Sequence, residues 1–206
     1  MNSYLSETAF YELRENKSRF LAYVFPVTNK QAVNNYLQKL KAEHPKADHF
    51  CFAYLLDENR NQKYSDDGEP AGTAGLPILN VLQKKNLDEV LAVVVRYFGG
   101  IKLGASGLTK AYRNCLTQAL RNATFVTKTE VALYRLVVPY NIKDTLNKFL
   151  TKNCEIVSCD YETDVTYVFY CGDERLIQHL TELTNGLIPV SLNKTKIIKT
   201  NKEANE

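Results

Sequence analysis

The residue types best suited to binding chemistry lie in one segment, residues 96–113, which reads RYFGGIKLGASGLTKAYR. Arginine and lysine side chains attract phosphate, and backbone amides in a glycine-rich turn that opens a helix can donate hydrogen bonds to it. Glycine costs conformational entropy, so it is expected where φ is positive or where two backbones approach closely. The segment is therefore a candidate anion-binding loop. Its cations are Arg96, Lys102, Lys110 and Arg113, and its glycines are Gly99, Gly100, Gly104 and Gly107.

The charge around this segment is one-sided. Residues 90–129 contain no acidic residue, although the net charge of the whole chain is only +3. Basic residues without acidic neighbours in sequence favour an anionic partner over a solvated helix surface. Tyr97 and Phe98 could stack on bases, or they could close the core as buried rings. We expect RNA as the ligand, and an acidic protein partner is the alternative.

Two elements must position the candidate loop. The nearly continuous apolar run at residues 91–97 is typical of a strand buried on both faces. Residues 105–123 predict a helix with two distinct stripes. The apolar stripe holds Leu108, Ala111, Tyr112, Cys115, Ala119 and Leu120, and the polar stripe holds Lys110, Arg113, Asn114, Thr117 and Arg121. One face should pack against the sheet, and the other should present cations.

The residues before the loop predict a mixed α and β pattern. Strands are expected at 18–27 and 49–56, and helices at 28–43 and 77–85, with an acidic loop over 57–69. Proline suits the first turn of a helix because its missing amide hydrogen is not needed there, which places the start of the last helix at Pro77.

From residue 130 the predicted order becomes strand, helix, strand, strand, helix, strand, which is typical of the ferredoxin-like (βαββαβ) module. The net charge changes from +5 before residue 130 to −2 after it. We therefore predict an N-terminal domain at 1–127, a linker around 124–129, a smaller C-terminal domain at 130–200 and a flexible tail at 201–206.

A second candidate site is the acidic, glycine-rich stretch SDDGEPAGTAGLP at residues 65–77. Its notable residues are Asp66, Asp67, Gly68, Glu69, Gly72, Thr73 and Gly75. The stretch resembles a kinase phosphate loop, but Pro77, Ile78 and Leu79 stand where small hydroxyl residues would hold phosphate and metal. Its carboxylates would repel phosphate unless a cation intervened. We expect them to cap backbone amides or to pair with basic side chains, and a nucleotide- or metal-dependent enzyme is the second alternative.

Other chemistry is poorly supported by the sequence. His49 and Cys51 alternate on one predicted strand without a recognisable set of further metal ligands, so packed or hydrogen-bonded roles are expected. The five cysteines are odd in number and lack a CxxC pair, which favours reduced thiols. No apolar run approaches membrane-spanning length, and the N-terminus has no signal-peptide core. We expect a cytoplasmic protein with no membrane contact, no cofactor, no bound metal and no catalytic residue.

Several of these stretches together resemble the signature of the IMPACT family. They are SDDGEPAGTAGLPIL, VVVRYFGGIKLGASGLTKAY, KSRFLA near the start, and the HxCxAY pattern at His49, Cys51, Ala53 and Tyr54. With a ferredoxin-like module following, the chain is similar to the bacterial two-domain type of this family. The resemblance extends over nearly the whole chain.

The resemblance carries implications for fold and function. It implies an α+β protein whose N-terminal domain has the α/β fold of a small-subunit ribosomal protein domain and of elongation factor G domain IV. The C-terminal module would be similar to the fifth domain of that factor. Family members are described as regulators of translation, which implies RNA, the ribosome or a translation-related protein as the partner. Fold similarity alone does not establish an activity.

Overall fold

The structure is a computed structural model that describes residues 2–187 and 189–201. The chain forms two compact units, which we call the N-terminal unit (residues 2–127) and the C-terminal unit (residues 128–200). Both units mix helices with antiparallel strands, so the α+β class predicted from the sequence is observed. Among the described residues, no helix combines the length and the apolar composition that crossing a bilayer requires.

A five-stranded antiparallel sheet organises the N-terminal unit, with strand order β2-β3-β7-β4-β5. Three helices accompany it. The elements are β2 (Ala9–Glu15), β3 (Ser18–Pro26), α1 (Lys30–Glu43), β4 (His49–Leu56), β5 (Asn61–Ser65), α2 (Gly75–Lys84), β7 (Val90–Tyr97) and α3 (Gly104–Arg121). Short strand β1 (Ser3–Leu5) pairs in parallel with β6 (Leu87–Asp88) and antiparallel with the start of β8 (Phe125–Val138).

The central strand β7 is buried on both faces, as its apolar run predicts. Successive side chains of a strand point to opposite faces of the sheet. Leu91, Val93 and Val95 therefore enter the core that α1 covers, whereas Ala92 and Val94 enter the core that α2 and α3 cover. This alternation decides on which side of the sheet each residue at the end of β7 lies.

Helix α3 follows its predicted stripes closely. All six residues of the apolar stripe are buried, and Leu116 joins them. Lys110, Arg113 and Arg121 on the polar stripe are exposed. The helix starts at Gly104 and ends at Arg121, so its prediction was displaced by one residue at the start and by two at the end.

Four strands, β1, β2, β5 and β6, were not predicted, and β2 and β5 belong to hairpins. β2 joins β3 through Asn16 and Lys17, whose φ values of 45° and 64° are those of a tight two-residue turn. The alternation of Tyr11 and Leu13 with Glu12 and Arg14 is the sequence signal that could have identified β2. β5 pairs with β4 and occupies part of the stretch predicted to be an acidic loop.

The C-terminal unit has the element order expected from the sequence. After β8 come α4 (Lys143–Asn153), β9 (Glu155–Tyr161), β10 (Val165–Cys171), α5 (Glu174–Leu183) and β11 (Val190–Asn201). β10 pairs with β8 and β9, and β11 pairs with β8, which gives the order β11-β8-β10-β9. A core that includes Leu146, Leu150, Tyr167, Phe169 and Leu180 joins α4 and α5 to these strands.

The boundary between the two units lies after residue 127, inside the predicted linker at 124–129, and residues 125–129 are part of strand β8. Its β-branched residues favour an extended strand, and Phe125 and Val126 pair with β1. The flexible tail predicted at 201–206 lies outside the described residues, except for residue 201, which ends β11.

Candidate anion-binding site

Arg96, the first cation of the candidate loop, is buried with 4% of its surface exposed. Strand alternation turns it toward the α3 side, where its Nη1 donates to Glu69 Oε1 over 2.6 Å. Its guanidinium carbon lies 5.3 Å and 5.4 Å from the ring centroids of Phe20 and Phe98. The expectation that Arg96 offers its charge to an outside phosphate is therefore wrong, because a buried carboxylate already neutralises it.

Glu69 is the centre of the buried polar network beneath the loop. Its Oε1 accepts hydrogen bonds from Arg96 and from the Tyr112 hydroxyl at 2.7 Å. Tyr112 in turn lies 3.4 Å from Cys51 Sγ. Burial raises the pKa of the Cys51 thiol to about 12 and raises the pKa of Tyr112 as well, so both groups stay protonated at neutral pH.

Tyr97 lies on the opposite side of the sheet from Arg96. Its hydroxyl is 2.8 Å from His44 Nδ1, and the Arg19 guanidinium lies 5.4 Å from its ring centroid. The stacking role suggested for Tyr97 is wrong for this surface, because alternation along β7 directs the ring to the α1 side, where it is half-buried. Phe98, in contrast, keeps 46% of its surface exposed.

The glycines of the loop serve the two purposes that glycine usually serves. Gly99 approaches the β2–β3 turn so closely that an added Cβ would overlap the Lys17 carbonyl, and its amide donates to Ser18 Oγ at 3.2 Å. Gly100 and Gly104 have φ values of +83° and +71°, which side chains of L-residues rarely adopt. The chain can therefore leave the sheet edge and enter α3 within a few residues.

The remaining predicted cations are available to solvent. Lys102, Lys110 and Arg113 are exposed. No residue in the described ranges forms an ion pair with any of the three. Lys110, Arg113 and Arg121 recur at spacings of three and eight residues on the exposed side of α3, and we call these three residues the α3 cation face.

In the acidic, glycine-rich stretch, a carboxylate accepts hydrogen bonds from backbone amides of the same stretch. Asp66 Oδ1 accepts from the amides of Ala74 and Gly75 at 3.0 and 2.8 Å, and its Oδ2 accepts from Gly72 at 2.9 Å. Asp66 thus caps the N-terminus of α2 from a distance, where negative charge is favoured. These three amides cannot also cradle a phosphate, which argues against the kinase-like interpretation.

The other residues of this stretch are also engaged within the fold. Asp67 Oδ2 accepts from the Phe50 amide at 2.7 Å. The buried Thr73 hydroxyl donates to the Pro70 carbonyl at 2.7 Å, and exposed Gly68 lies beside His49. Within residues 2–187 and 189–201, no cluster of three histidine, cysteine or acidic side chains could hold a metal ion.

A pocket of about 420 Å³ opens between the loop and the start of α3. We call it the α3 pocket. Its polar lining comes from Asp48, His49, Glu69, Arg96 and Lys102. The rest of the wall is formed by Pro70, Phe98, Leu103, Gly104, Ala105 and Leu108. The structure thus brings Phe98, Lys102 and Gly104 together at one pocket and directs Tyr97 away from it.

Three residues that sequence reasoning did not place in the site shape this pocket. Asp48 Oδ2 accepts from the Phe98 amide at 2.8 Å, and Ser18 Oγ accepts from Gly99. His49 donates from Nδ1 to the Asp67 carbonyl at 2.8 Å, since a carbonyl can only accept. Nothing in the local pattern marks Asp48 or Ser18, because both act through contacts with residues distant in sequence.

These features define a class: an α+β protein of two compact units, whose N-terminal unit bears unpaired cations beside a pocket at a helix start. Residues 16–120 match the Impact N-terminal domain. The chain belongs to the IMPACT family.

The similarity to bacterial relatives extends through both units. The IMPACT family member YvyE of Bacillus subtilis is 38% identical over 195 residues, which is 90% of this chain and 89% of that protein. The IMPACT family member YigZ of Escherichia coli is 39% identical over 72% of this chain and 75% of its own. A crystal structure described as that of a hypothetical protein is 31% identical, with a TM-score of 0.60 over 98% of this chain and all of that chain.

Proposed function

We propose that this protein is a non-catalytic regulator of translation that binds structured RNA, as in the ribosome, through the α3 cation face and Lys102. The regulatory role is what the family resemblance implies. The same resemblance implies a ribosomal-protein-like N-terminal domain and a ferredoxin-like C-terminal domain. Both would agree with a role in translation.

The observation that carries the proposal is the unpaired state of the cations. A surface lysine or arginine that already pairs with a carboxylate has little charge to offer a phosphate. Lys102, Lys110 and Arg113 have no such partner among the described residues. The nearest acidic residues in sequence are Glu89 and Glu130, outside the 40-residue stretch that holds them.

Helical geometry supports contacts to a phosphate backbone. Residues three apart on a helix are surface neighbours, so Lys110 and Arg113 can reach adjacent phosphates, and Arg121 continues the face two turns later. Phosphate contacts of this kind give affinity without sequence selectivity. Structured RNA should therefore bind without a strong sequence preference.

Reversing the charge of Lys110 or Arg113 should weaken binding to structured RNA and to ribosomes by about tenfold each at about 0.1 M salt. Each variant, Lys110→Glu and Arg113→Glu, loses one phosphate contact and adds a repulsive charge. Fluorescence anisotropy with a labelled ribosomal RNA hairpin measures the affinity, and sedimentation with ribosomes checks the larger target.

The matched control is Lys30→Glu, which makes the same charge change in the first turn of α1, the helix that covers the other face of the sheet. It should leave RNA affinity within about twofold of the parent. If Lys30→Glu weakens RNA binding as much as Arg113→Glu, only net charge matters and the α3 face is not the site. If the parent retains a bound protein partner after nuclease treatment and Arg113→Glu does not, the result supports the alternative of an acidic protein partner.

A further inference from the structure

The α3 pocket has different chemistry at its two ends, and the α3 cation face does not account for it. We call the first residues of α3 with Lys102 the first end of the lining, and His49 with Glu69 the second end. Its volume of about 420 Å³ lies within the range of small-ligand sites. Every lining residue belongs to the N-terminal unit.

The first end suits a phosphate group. Helix α3 has 18 residues, has no side-chain cap at Leu103 and has no acidic residue in its first turn. The first amides of such a helix point outward with partial positive charge, and this arrangement binds anions. Exposed Lys102 adds a full charge beside Gly104 and Ala105.

One buried group in the wall has a donor without an acceptor. Arg96 lines the pocket with 5% of its side chain exposed, and within the described residues its Nε has no hydrogen-bond acceptor. A buried donor without an acceptor costs about 1–3 kcal/mol.

The middle of the pocket suits a planar ring. The Arg96 guanidinium carbon lies 5.4 Å from the centroid of the Phe98 ring, while 46% of the surface of Phe98 remains exposed. Aromatic side chains that keep part of their surface open are the usual platforms on which bases stack.

The second end presents hydrogen-bond acceptors. His49 Nδ1 carries a proton toward the Asp67 carbonyl, so Nε2 is an acceptor when the ring carries that one proton. Glu69 Oε2 lies 4.0 Å from that Nε2, and none of the hydrogen bonds between described residues uses it. Two acceptors at this separation match the two hydrogens of an exocyclic amino group.

We infer that the α3 pocket binds one nucleoside monophosphate unit whose base carries an amino group. The phosphate lies at the first amides of α3 and Lys102, the base lies on Phe98, and the amino group donates to Glu69 and His49. Asp48, which accepts from the Phe98 amide, places negative charge beside the base, and this charge keeps the phosphate at the helix end. The unit is either a free nucleotide or a terminal nucleotide of the RNA in the proposed function.

Titration of the full chain with AMP, followed by amide NMR shifts, should move the resonances of Phe98, Gly104 and Ala105. Adenosine and inorganic phosphate should each bind at least tenfold more weakly than AMP, because each lacks one end of the contact. UMP should bind more weakly than AMP because its base has no amino group. An absence of shifts at these amides at millimolar AMP would overturn the inference.

The decisive variant is Ala105→Glu. It places a carboxylate at the second residue of α3, where acidic residues favour the helix, so the fold should persist. AMP affinity should fall at least tenfold. Gln31→Glu makes the corresponding change at the second residue of α1 and should leave AMP affinity unchanged. Equal AMP affinity in Ala105→Glu and the parent would contradict the inference.

Two further arms separate the possible sources of the nucleotide and the two proposals. A 5′-phosphorylated dinucleotide that binds more tightly than AMP identifies an RNA end, whereas equal affinities identify a free nucleotide; both results support the pocket. Arg113→Glu should leave AMP affinity intact. AMP binding without RNA binding would overturn the proposed function alone. The pocket alone would be overturned by two results together: no AMP shifts, and RNA binding that is lost in Arg113→Glu but kept in Ala105→Glu.

Discussion

Replacing Glu69 by alanine is expected to lower the free energy of unfolding of the N-terminal unit by about 3–5 kcal/mol, the usual cost of removing one partner of a buried ion pair. The Arg96 guanidinium would be left charged with 4% of its surface exposed, and the Tyr112 hydroxyl would lose its acceptor. Hydrogen exchange at the β7 amides, which lie in the middle of the sheet, reports this unit specifically.

Glu58→Ala is the matched control, because the exposed Glu58 side chain forms a surface ion pair with Arg60 at 3.5 Å, and the substitution keeps the backbone amide that donates to Asp88. It should change stability by less than about 0.5 kcal/mol. The double variant Glu69→Leu with Arg96→Met should be less destabilised than Glu69→Ala, because no buried charge remains unpaired. A double variant at least as unstable as the single one would show that the pair is not the source of the effect.

Replacing Asp66 by asparagine should cost the N-terminal unit about 1–3 kcal/mol, the penalty for one buried donor without an acceptor. Asp66 uses both carboxylate oxygens, one for Ala74 and Gly75 and the other for Gly72. An asparagine has one acceptor oxygen and turns an amino group toward the remaining amide. The loss of negative charge at the start of α2 adds to the cost.

Asp67→Asn makes the same chemical change one residue later and should cost less than about 1 kcal/mol. Asp67 needs only one oxygen, for the Phe50 amide, and asparagine tolerates its φ of 42°. Urea unfolding of the two variants gives the comparison. Equal losses would mean that Asp66 does not act as a remote cap of α2.

Periodicity was enough to predict the elements that form the site. The unbroken apolar run of β7 and the two stripes of α3 each result from repeated contacts with the core. In the sequence, these contacts recur with the period of the strand or of the helix. Strands β2 and β5 were not predicted because each is an edge strand with charged and polar residues, and the sequence of a short polar strand resembles that of a loop.

Side-chain partners could not be predicted in the same way. Arg96 looked like a free cation because no acidic residue lies near it in sequence, but Glu69 is 27 residues earlier and meets it across the fold. Tyr97 and Phe98 are adjacent in sequence, yet the strand sends Tyr97 to the α1 side, whereas Phe98 lines the α3 pocket. Pairing and direction depend on which elements meet, and composition does not contain that information.

The buried polar network lies beneath the candidate site and connects the elements that form it. Arg96, Glu69 and Tyr112 hold the end of β7 against α3, and the Asp48 carboxylate fixes the Phe98 amide. The cations that remain free are those outside this network, on the surface of α3 and at Lys102. The chain therefore separates the charge that stabilises the fold from the charge available to a polyanion.

The most direct test of that separation is the salt dependence of RNA binding. A plot of log affinity against log salt concentration should be linear with a negative slope, because each phosphate contact releases a counterion from the RNA. Lys110→Glu and Arg113→Glu should each make the slope shallower by about one, and Lys30→Glu should not change it. Slopes that are equal in the parent and in all three variants would contradict RNA binding through the α3 cation face.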